Sequence, residues 1–137
     1  MTDEMVSQLN TTALAYVGDA AYEVVVREKI IERFPKDAGR AHKAAVRYVS
    51  AAGQAMAARA MMADGFLTED EERLLKRARN HRSMSRPQHA DPRDYKLATG
   101  FEALIGYLHL TGRSGRIEEI TAEAFRVIDS DAAEDHR

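Results

Sequence analysis

One stretch near the N-terminus constrains the fold most: an apolar run that contains a glycine and an acid side by side. Apolar and small residues dominate from Leu14 to Val26, which predicts a helix that is hydrophobic on most sides and largely buried. Gly18 costs about 1 kcal/mol relative to alanine inside a helix, so it suggests that another backbone or a ligand comes close there. Either something holds the Asp19 carboxylate ionised in a buried helix, or this is a surface helix that tolerates both residues.

The rest of the chain also has helical periodicity. Apolar residues recur at spacings of three and four, with no alternating strand pattern and no internal repeat. We therefore predict an all-α fold of about six to seven helices without a sheet, in a single domain over 1–137. The helices are expected at about 11–34, 37–48, 51–63, 69–82, 95–111 and 117–128. Outside them lie a polar N-terminal segment (1–10), an exposed basic loop (83–94) and an acidic tail (129–137) that is expected to fray.

Three of these helices begin with capping signals. Thr11 or Thr12 can cap the first long helix, and Ser50 can cap the third. Thr68 and Glu71 have the spacing of a capping box, and the acids that follow Thr68 stabilise the positive end of the helix dipole. That acidic run is therefore predicted to be structural.

Composition excludes several classes of function. The chain has no cysteine, so it has no disulfide, no thiolate nucleophile and no cysteine-ligated zinc site. The N-terminal segment lacks an apolar leader, and no run of apolar residues is long enough to span a membrane, so we expect a cytoplasmic protein. A formal net charge of −2 argues against a uniformly basic nucleic-acid binder.

A second acidic residue, like Asp19, lies in an apolar helix close to a glycine. Glu102 interrupts the apolar stripe of a later helix, with Gly106 one turn away, as Gly18 lies beside Asp19. We predict that the two helices cross closely and that their carboxylates face one site, where a cation would relieve their repulsion. Oxygen ligands without cysteine or a histidine pair favour Mg²⁺ or Mn²⁺. The alternative is a pair of independently solvated acids.

The segment from Arg73 to Lys96 is strongly basic. It contains eight Lys and Arg residues and two Asp, a local formal charge of +6. Positive charge beside an exposed loop suits contact with RNA phosphates, and polar side chains there can donate to 2′-hydroxyl groups. The candidate RNA-binding residues are Arg77, Arg79, Asn80, His81, Arg82 and Arg86. The alternative is a solvated helix end whose cations favour the C-terminal dipole.

Two motifs resemble a known family. The segment Leu14–Ala20 is similar to the signature helix of the ribonuclease III catalytic domain, and Phe101–Leu108 is similar to its second acidic motif. The chain departs from the larger family at Ala15, where that family has Glu, and at Thr99, where it has Asp. The short form without a double-stranded RNA-binding domain, Mini-ribonuclease III, is the most similar group. The segments that resemble this group are 42–43, 49–51, 54–55 and 77–80.

The resemblance implies an endoribonuclease that cuts double-stranded RNA. It implies that Asp19 and Glu102 are the catalytic residues and hold Mg²⁺, which activates water for in-line attack and leaves a 5′-phosphate and a 3′-hydroxyl. It also implies a homodimer that matures 23S (large-subunit) ribosomal RNA, with a ribosomal protein as a candidate for presenting the substrate. Glu23, one turn beyond Asp19, is either ion-paired or solvated, or it orders a metal-bound water.

Two other classes of protein remain as alternatives. The missing acids at Ala15 and Thr99 would suit a catalytically silent, dimeric double-stranded RNA-binding protein. A purely structural all-α interaction domain would show no salt-dependent affinity for RNA.

Overall fold

A computed structural model describes residues 1–81 and 91–135 of the chain. These residues form seven helices and no strand, so the predicted all-α fold is confirmed. The helices are α1 (Asp3–Ser7), α2 (Thr11–Ile31), α3 (Ala38–Val49), α4 (Ala51–Ala63), α5 (Glu69–Asn80), α6 (Pro92–Leu110) and α7 (Ser114–Asp135). None of them is long and apolar enough to cross a lipid bilayer.

Helix α6 lies at the centre of the fold and packs against α2, α4 and α5. Its apolar residues are buried on almost every side, because neighbouring helices cover it all round. Tyr22 of α2 meets Phe101 of α6 edge to face, with ring centroids 4.9 Å apart. Such a pair contributes roughly 0.5–1.5 kcal/mol beyond the apolar area that it buries.

The crossing of α2 and α6 is close enough to require glycine on both helices. A Cβ atom on Gly18 would lie 1.6 Å from the Glu102 carbonyl oxygen, and one on Gly106 would lie 1.9 Å from the Leu14 carbonyl oxygen. Neither position can hold a side chain without separating the helices. The prediction that another backbone comes close to Gly18 is therefore confirmed.

Two helix starts follow the predicted caps. Ser50 accepts a hydrogen bond from the Gly53 amide at 3.1 Å and begins α4. At the start of α5, Thr68 accepts from the Glu71 amide at 3.1 Å, while the Glu71 carboxylate accepts from the Thr68 amide at 2.9 Å. Glu71 also binds Arg116 of α7 at 2.8 Å, so the acidic run serves the fold as predicted.

Two other helix starts differ from the prediction. The cap of α2 is Asn10, which accepts from the Ala13 amide at 2.8 Å, so the assignment to Thr11 or Thr12 was wrong. Helix α6 begins at Pro92 and not near residue 95, because Asp91 caps it and proline is favourable in the first helical turn. Residues 82–90 of the predicted loop region lie outside the described residues.

Both ends of the chain are more helical than predicted. The polar segment 1–10 contains α1, which Thr2 caps and which buries Val6 completely. Helix α7 runs from Ser114 to Asp135, although a helix over 117–128 and a frayed tail were predicted. Asp129 accepts a hydrogen bond from the Tyr48 hydroxyl of α3, which holds the later part of α7 in place. Conversely, α2 ends at Ile31 and does not reach residue 34.

Candidate active site

Asp19 lies on an exposed side of α2. The sequence predicted a largely buried helix, and this was wrong for one side, where Tyr16 is 83% exposed and Val24 is 56% exposed. The opposite side carries the buried residues of α2 and packs on α6. The Asp19 carboxyl is therefore open to solvent, and the desolvation cost expected for it does not arise.

Glu102 of α6 is partly buried and meets Asp19. Burial is the largest cause, and together with the hydrogen bond to Asp19 and the charge of Asp19 it raises the pKa of the Glu102 carboxyl to about 8. The protonated Glu102 carboxyl therefore donates to Asp19 at neutral pH, and a bound cation would take the place of that proton. The structure thus brings the two predicted acids together through the close crossing at Gly18.

Two other residues act on the Glu102 carboxyl. The charge of Glu23 raises the Glu102 pKa, whereas a side-chain hydrogen bond with Gln54 of α4 lowers it. Glu23 itself forms an ion pair with Arg27, in which oxygen and nitrogen are 3.1 Å apart. The sequence prediction did not include Gln54 in the site. The sequence feature that could have indicated Gln54 is its polar side chain in a helix made mainly of alanine and methionine.

A cleft of about 240 Å³ opens beside the two carboxyls. Ala15 and Thr99 both line it, so the two positions at which the larger family has further acids face the same space. The Thr99 hydroxyl donates to the Tyr95 carbonyl at 3.0 Å. The remaining lining residues are Thr11, Thr12, Tyr16, Asp19, Ala78, His81, Tyr95 and Glu102.

The donor set fits a hard divalent cation held by few protein ligands. Within 1–81 and 91–135, no group of three or more His, Cys, Asp or Glu side chains is placed to hold a metal ion. Asp19 and Glu102 would therefore supply two oxygen ligands, and water or substrate would supply the others. Mg²⁺ is commonly bound in this way, through one or two carboxylates and several waters.

The basic segment begins beside the cleft. Arg77 is exposed on α5, and Arg79 is half-buried with its Nε donating to Asn80 Oδ1 at 3.1 Å. His81 follows the end of α5, is exposed and lines the cleft. Four of the six predicted RNA-binding residues are thus close to the carboxyl pair or on the helix that leads to it. Arg82 and Arg86 lie outside the described residues.

Known proteins resemble the chain in sequence and in fold. Residues 12–113 match the Ribonuclease III domain family. Mini-ribonuclease 3 of Enterococcus faecalis is 47% identical over 113 residues, which cover 82% of this chain and 86% of that protein. Mini-ribonuclease 3 of Brevibacillus brevis is 43% identical over 123 residues, which cover 90% of each. A crystal structure of a Fusobacterium nucleatum protein aligns with a TM-score of 0.77 at 26% identity, over 87% of this chain and 95% of that one. The chain therefore belongs to the ribonuclease III family, in its Mini-ribonuclease III group.

Proposed function

We propose that the chain is a divalent-metal-dependent endoribonuclease that hydrolyses phosphodiester bonds in double-stranded RNA. The observation that carries this proposal is the contact between Asp19 and Glu102, whose carboxyls come from two helices and meet at an open cleft. Membership of the ribonuclease III family supports the same activity. The relatives named Mini-ribonuclease 3 support a ribonuclease of the short form.

Asp19 and Glu102 are the proposed metal ligands and catalytic residues, with Mg²⁺ as the ion and Mn²⁺ as a substitute. When bound, such an ion activates water and stabilises the charge that develops on the phosphate. Glu102 must first release the proton that its pKa of about 8 retains at neutral pH. Asp19 is exposed, so the site stays open on that side to the backbone of an RNA duplex.

The proposed RNA contacts are Arg77, Arg79 and Asn80 of α5 and His81 directly after it, and Arg82 and Arg86 continue the basic segment. Arg77 and Arg79 form no ion pair with an acid in the part of the chain that the structure describes, so their charges are available for phosphates. A-form RNA is bound mainly through phosphates and 2′-hydroxyls, which guanidinium, amide and imidazole donors match. His81 lines the cleft and would connect this surface to the carboxyl pair.

The active form is proposed to be a homodimer that aligns two carboxyl pairs along one duplex. Exposed apolar side chains of α2 support an interface on this helix, and one of them, Tyr16, lines the cleft. Tyr16 is 83% exposed and Val24 is 56% exposed, so the single chain leaves both largely uncovered. Large exposed apolar residues in a cluster are typical of protein interfaces.

The proposed substrate is precursor ribosomal RNA, with maturation of 23S ribosomal RNA as the cellular role. This part of the proposal rests on the resemblance to the Mini-ribonuclease III group. A ribosomal protein that presents the substrate is a further proposed partner. The absence of cysteine is compatible with the cytoplasmic location that such a role requires.

A catalytically silent double-stranded RNA-binding protein is the second candidate. The observation that favours it is the composition of the cleft, where Ala15 and Thr99 occupy the two positions at which the larger family carries acids. Such a protein would bind duplex RNA through the basic segment without cutting it. The two candidates therefore differ in metal-dependent cleavage and not in RNA affinity.

The deciding experiment incubates a labelled RNA duplex with the protein in Mg²⁺ and, separately, in a chelator. The proposal predicts cleavage only with the metal and little cleavage of the corresponding single strand. Asp19→Asn and Glu102→Gln should each lower the rate by roughly 10³-fold or more, because each removes a proposed metal ligand. Glu28→Gln, at an exposed acid of the same helix α2, is the matched control and should cut normally. Binding without any metal-dependent cut would favour the silent binder.

A further inference from the structure

Gln54 is a buried polar residue beside the proposed metal site. It lies in the first turn of α4, and only 2% of its surface is exposed. The other buried residues of α4 are glycine, alanine and methionine, which bury no polar side-chain group. A glutamine at such a position must find hydrogen-bond partners within the protein.

The amide nitrogen of Gln54 has two hydrogens and two acceptors within reach. It donates one hydrogen to the carbonyl oxygen of Val49, at the end of α3, with 2.9 Å between nitrogen and oxygen. This bond fixes which end of the amide is the nitrogen, and the second hydrogen is left for another acceptor. The Glu102 carboxyl is the acceptor close enough to take it, because Gln54 acts on this carboxyl as a hydrogen-bond donor that lowers its pKa.

The other end of the same amide is unsatisfied. Gln54 Oε1 is buried and has no hydrogen-bond partner among the described residues. An unpaired buried acceptor costs free energy that an apolar side chain of similar size would not cost. Methionine or leucine at position 54 would therefore stabilise the fold more than glutamine does. This indicates that the role of Gln54 depends on the hydrogen bonds that its amide nitrogen donates.

The backbone around Gln54 is held firmly. Ser50 caps α4, and a Cβ atom on Gly53 would stand 2.0 Å from the carbonyl oxygen of Arg47. The first turn of α4 is thus pressed against the last turn of α3, and α4 in turn packs along α6. Gln54 consequently reaches Glu102 from a rigid support.

We propose that Gln54 is a positioning residue that holds the Glu102 carboxylate toward Asp19, so that both carboxylates are oriented for one divalent cation. This inference rests on the proposed function, because it takes Glu102 as a metal ligand. Residues that orient a metal ligand typically change metal affinity or activity by about 10–100-fold when they are replaced.

The test compares Gln54→Met with the wild type in three measurements. Mn²⁺ affinity, followed by electron paramagnetic resonance, should fall by about 10–100-fold. The kcat for duplex cleavage should fall similarly, while KM changes little because the basic segment is intact. A crystal structure of the variant should show the Glu102 carboxylate turned away from Asp19. Met61→Leu, a buried apolar position of the same helix, is the control and should match the wild type in all three.

The inference is overturned if a folded Gln54→Met variant keeps the Mn²⁺ affinity, the kcat and the Glu102 position of the wild type. The proposed function is then unaffected. If that variant does not fold, the wild-type crystal structure with Mn²⁺ decides. Gln54 Nε2 within hydrogen-bond distance of Glu102 supports the inference, and a wider separation overturns it. A wild-type protein that neither binds Mn²⁺ nor cuts duplex RNA would instead contradict the proposed function. In that case, displacement of Glu102 in the Gln54→Met variant would still show that Gln54 positions the Glu102 carboxyl.

Discussion

Gly18 of α2 and Gly106 of α6 face each other at the crossing that brings Asp19 to Glu102. A Cβ atom on Gly18 would lie 2.8 Å from the backbone nitrogen of Gly106, and one on Gly106 would lie 3.0 Å from the backbone nitrogen of Gly18. The carboxyl pair therefore depends on two positions that carry no chemistry themselves. Any side chain at either glycine would widen the gap between the two helices and separate the acids.

Gly18→Ala should destabilise the protein strongly. The new Cβ would overlap the Glu102 carbonyl oxygen, and overpacking of this severity costs roughly 3 kcal/mol or more. Urea unfolding followed by circular dichroism measures the change. The control is Gly115→Ala in α7, where a Cβ meets no atom within 4 Å, so it should stay within about 0.5 kcal/mol of the wild type or be stabilised. Equal stability of the two variants would contradict the close crossing.

Without a divalent metal, the protein should lose stability as pH rises from about 4.5 to about 8. The folded protein keeps a proton on Glu102 up to its pKa of about 8, whereas the unfolded chain releases that proton near the ordinary value of 4.5. Because the folded state binds more protons across this interval, the free energy of unfolding falls with increasing pH and levels off above it.

Glu102→Gln should remove this slope and stabilise the metal-free protein at pH 8 by roughly 1–3 kcal/mol. Thermal unfolding at several pH values in a chelator measures the effect. The matched control is Glu118→Gln, at an exposed acid of α7 that pairs with Lys29 at 3.3 Å, and it should keep the wild-type slope. A variant at position 102 with the same slope as the wild type would show that another group carries the pH dependence.

Replacing Arg77 and Arg79 together with alanine should weaken duplex RNA binding. Loss of two phosphate contacts should reduce the slope of log affinity against log salt by about 2 and affect all duplex sequences alike. Fluorescence anisotropy across a salt series measures both quantities. Arg126→Ala is the control, because Arg126 is an exposed cation of α7 that pairs with Glu123. If the double variant binds as tightly as the control, α5 does not contact RNA.

Replacing Tyr16 and Val24 together with serine should shift the protein from dimer to monomer. Both side chains are exposed in the single chain, so their loss costs the fold little, but it would remove apolar area from the proposed interface. Sedimentation velocity at micromolar concentration measures the change. Val46→Ser, at a 46% exposed position of α3, is the control. An unchanged dimer would place the interface elsewhere, and a monomeric wild type would contradict the dimer itself.

Sequence patterns predicted the helices well where the signal is local. The capping box of Thr68 and Glu71 and the cap at Ser50 depend on residues within one turn of each other. The start of α6 was predicted too late, because proline is common both in loops and in the first turn of a helix, and Pro92 lies in the first turn of α6, where its missing N–H is harmless.

The close helix crossing was also predictable, because glycine in an apolar helix is costly unless a neighbour needs the space. The exposure of Asp19 was not predictable, since an apolar run does not reveal which of its sides another helix covers. Gln54 gave no signal of its partner, because its contact with Glu102 depends on how α4 packs against α6.

The position of Mn²⁺ in crystals of the protein soaked with that ion, located by anomalous diffraction, tests most directly whether Asp19 and Glu102 hold one ion together. We expect one peak within coordination distance of both the Asp19 and the Glu102 carboxylates, and loss of that peak in Asp19→Asn. A peak that contacts only one of these residues, or that lies at other acids, would contradict shared coordination.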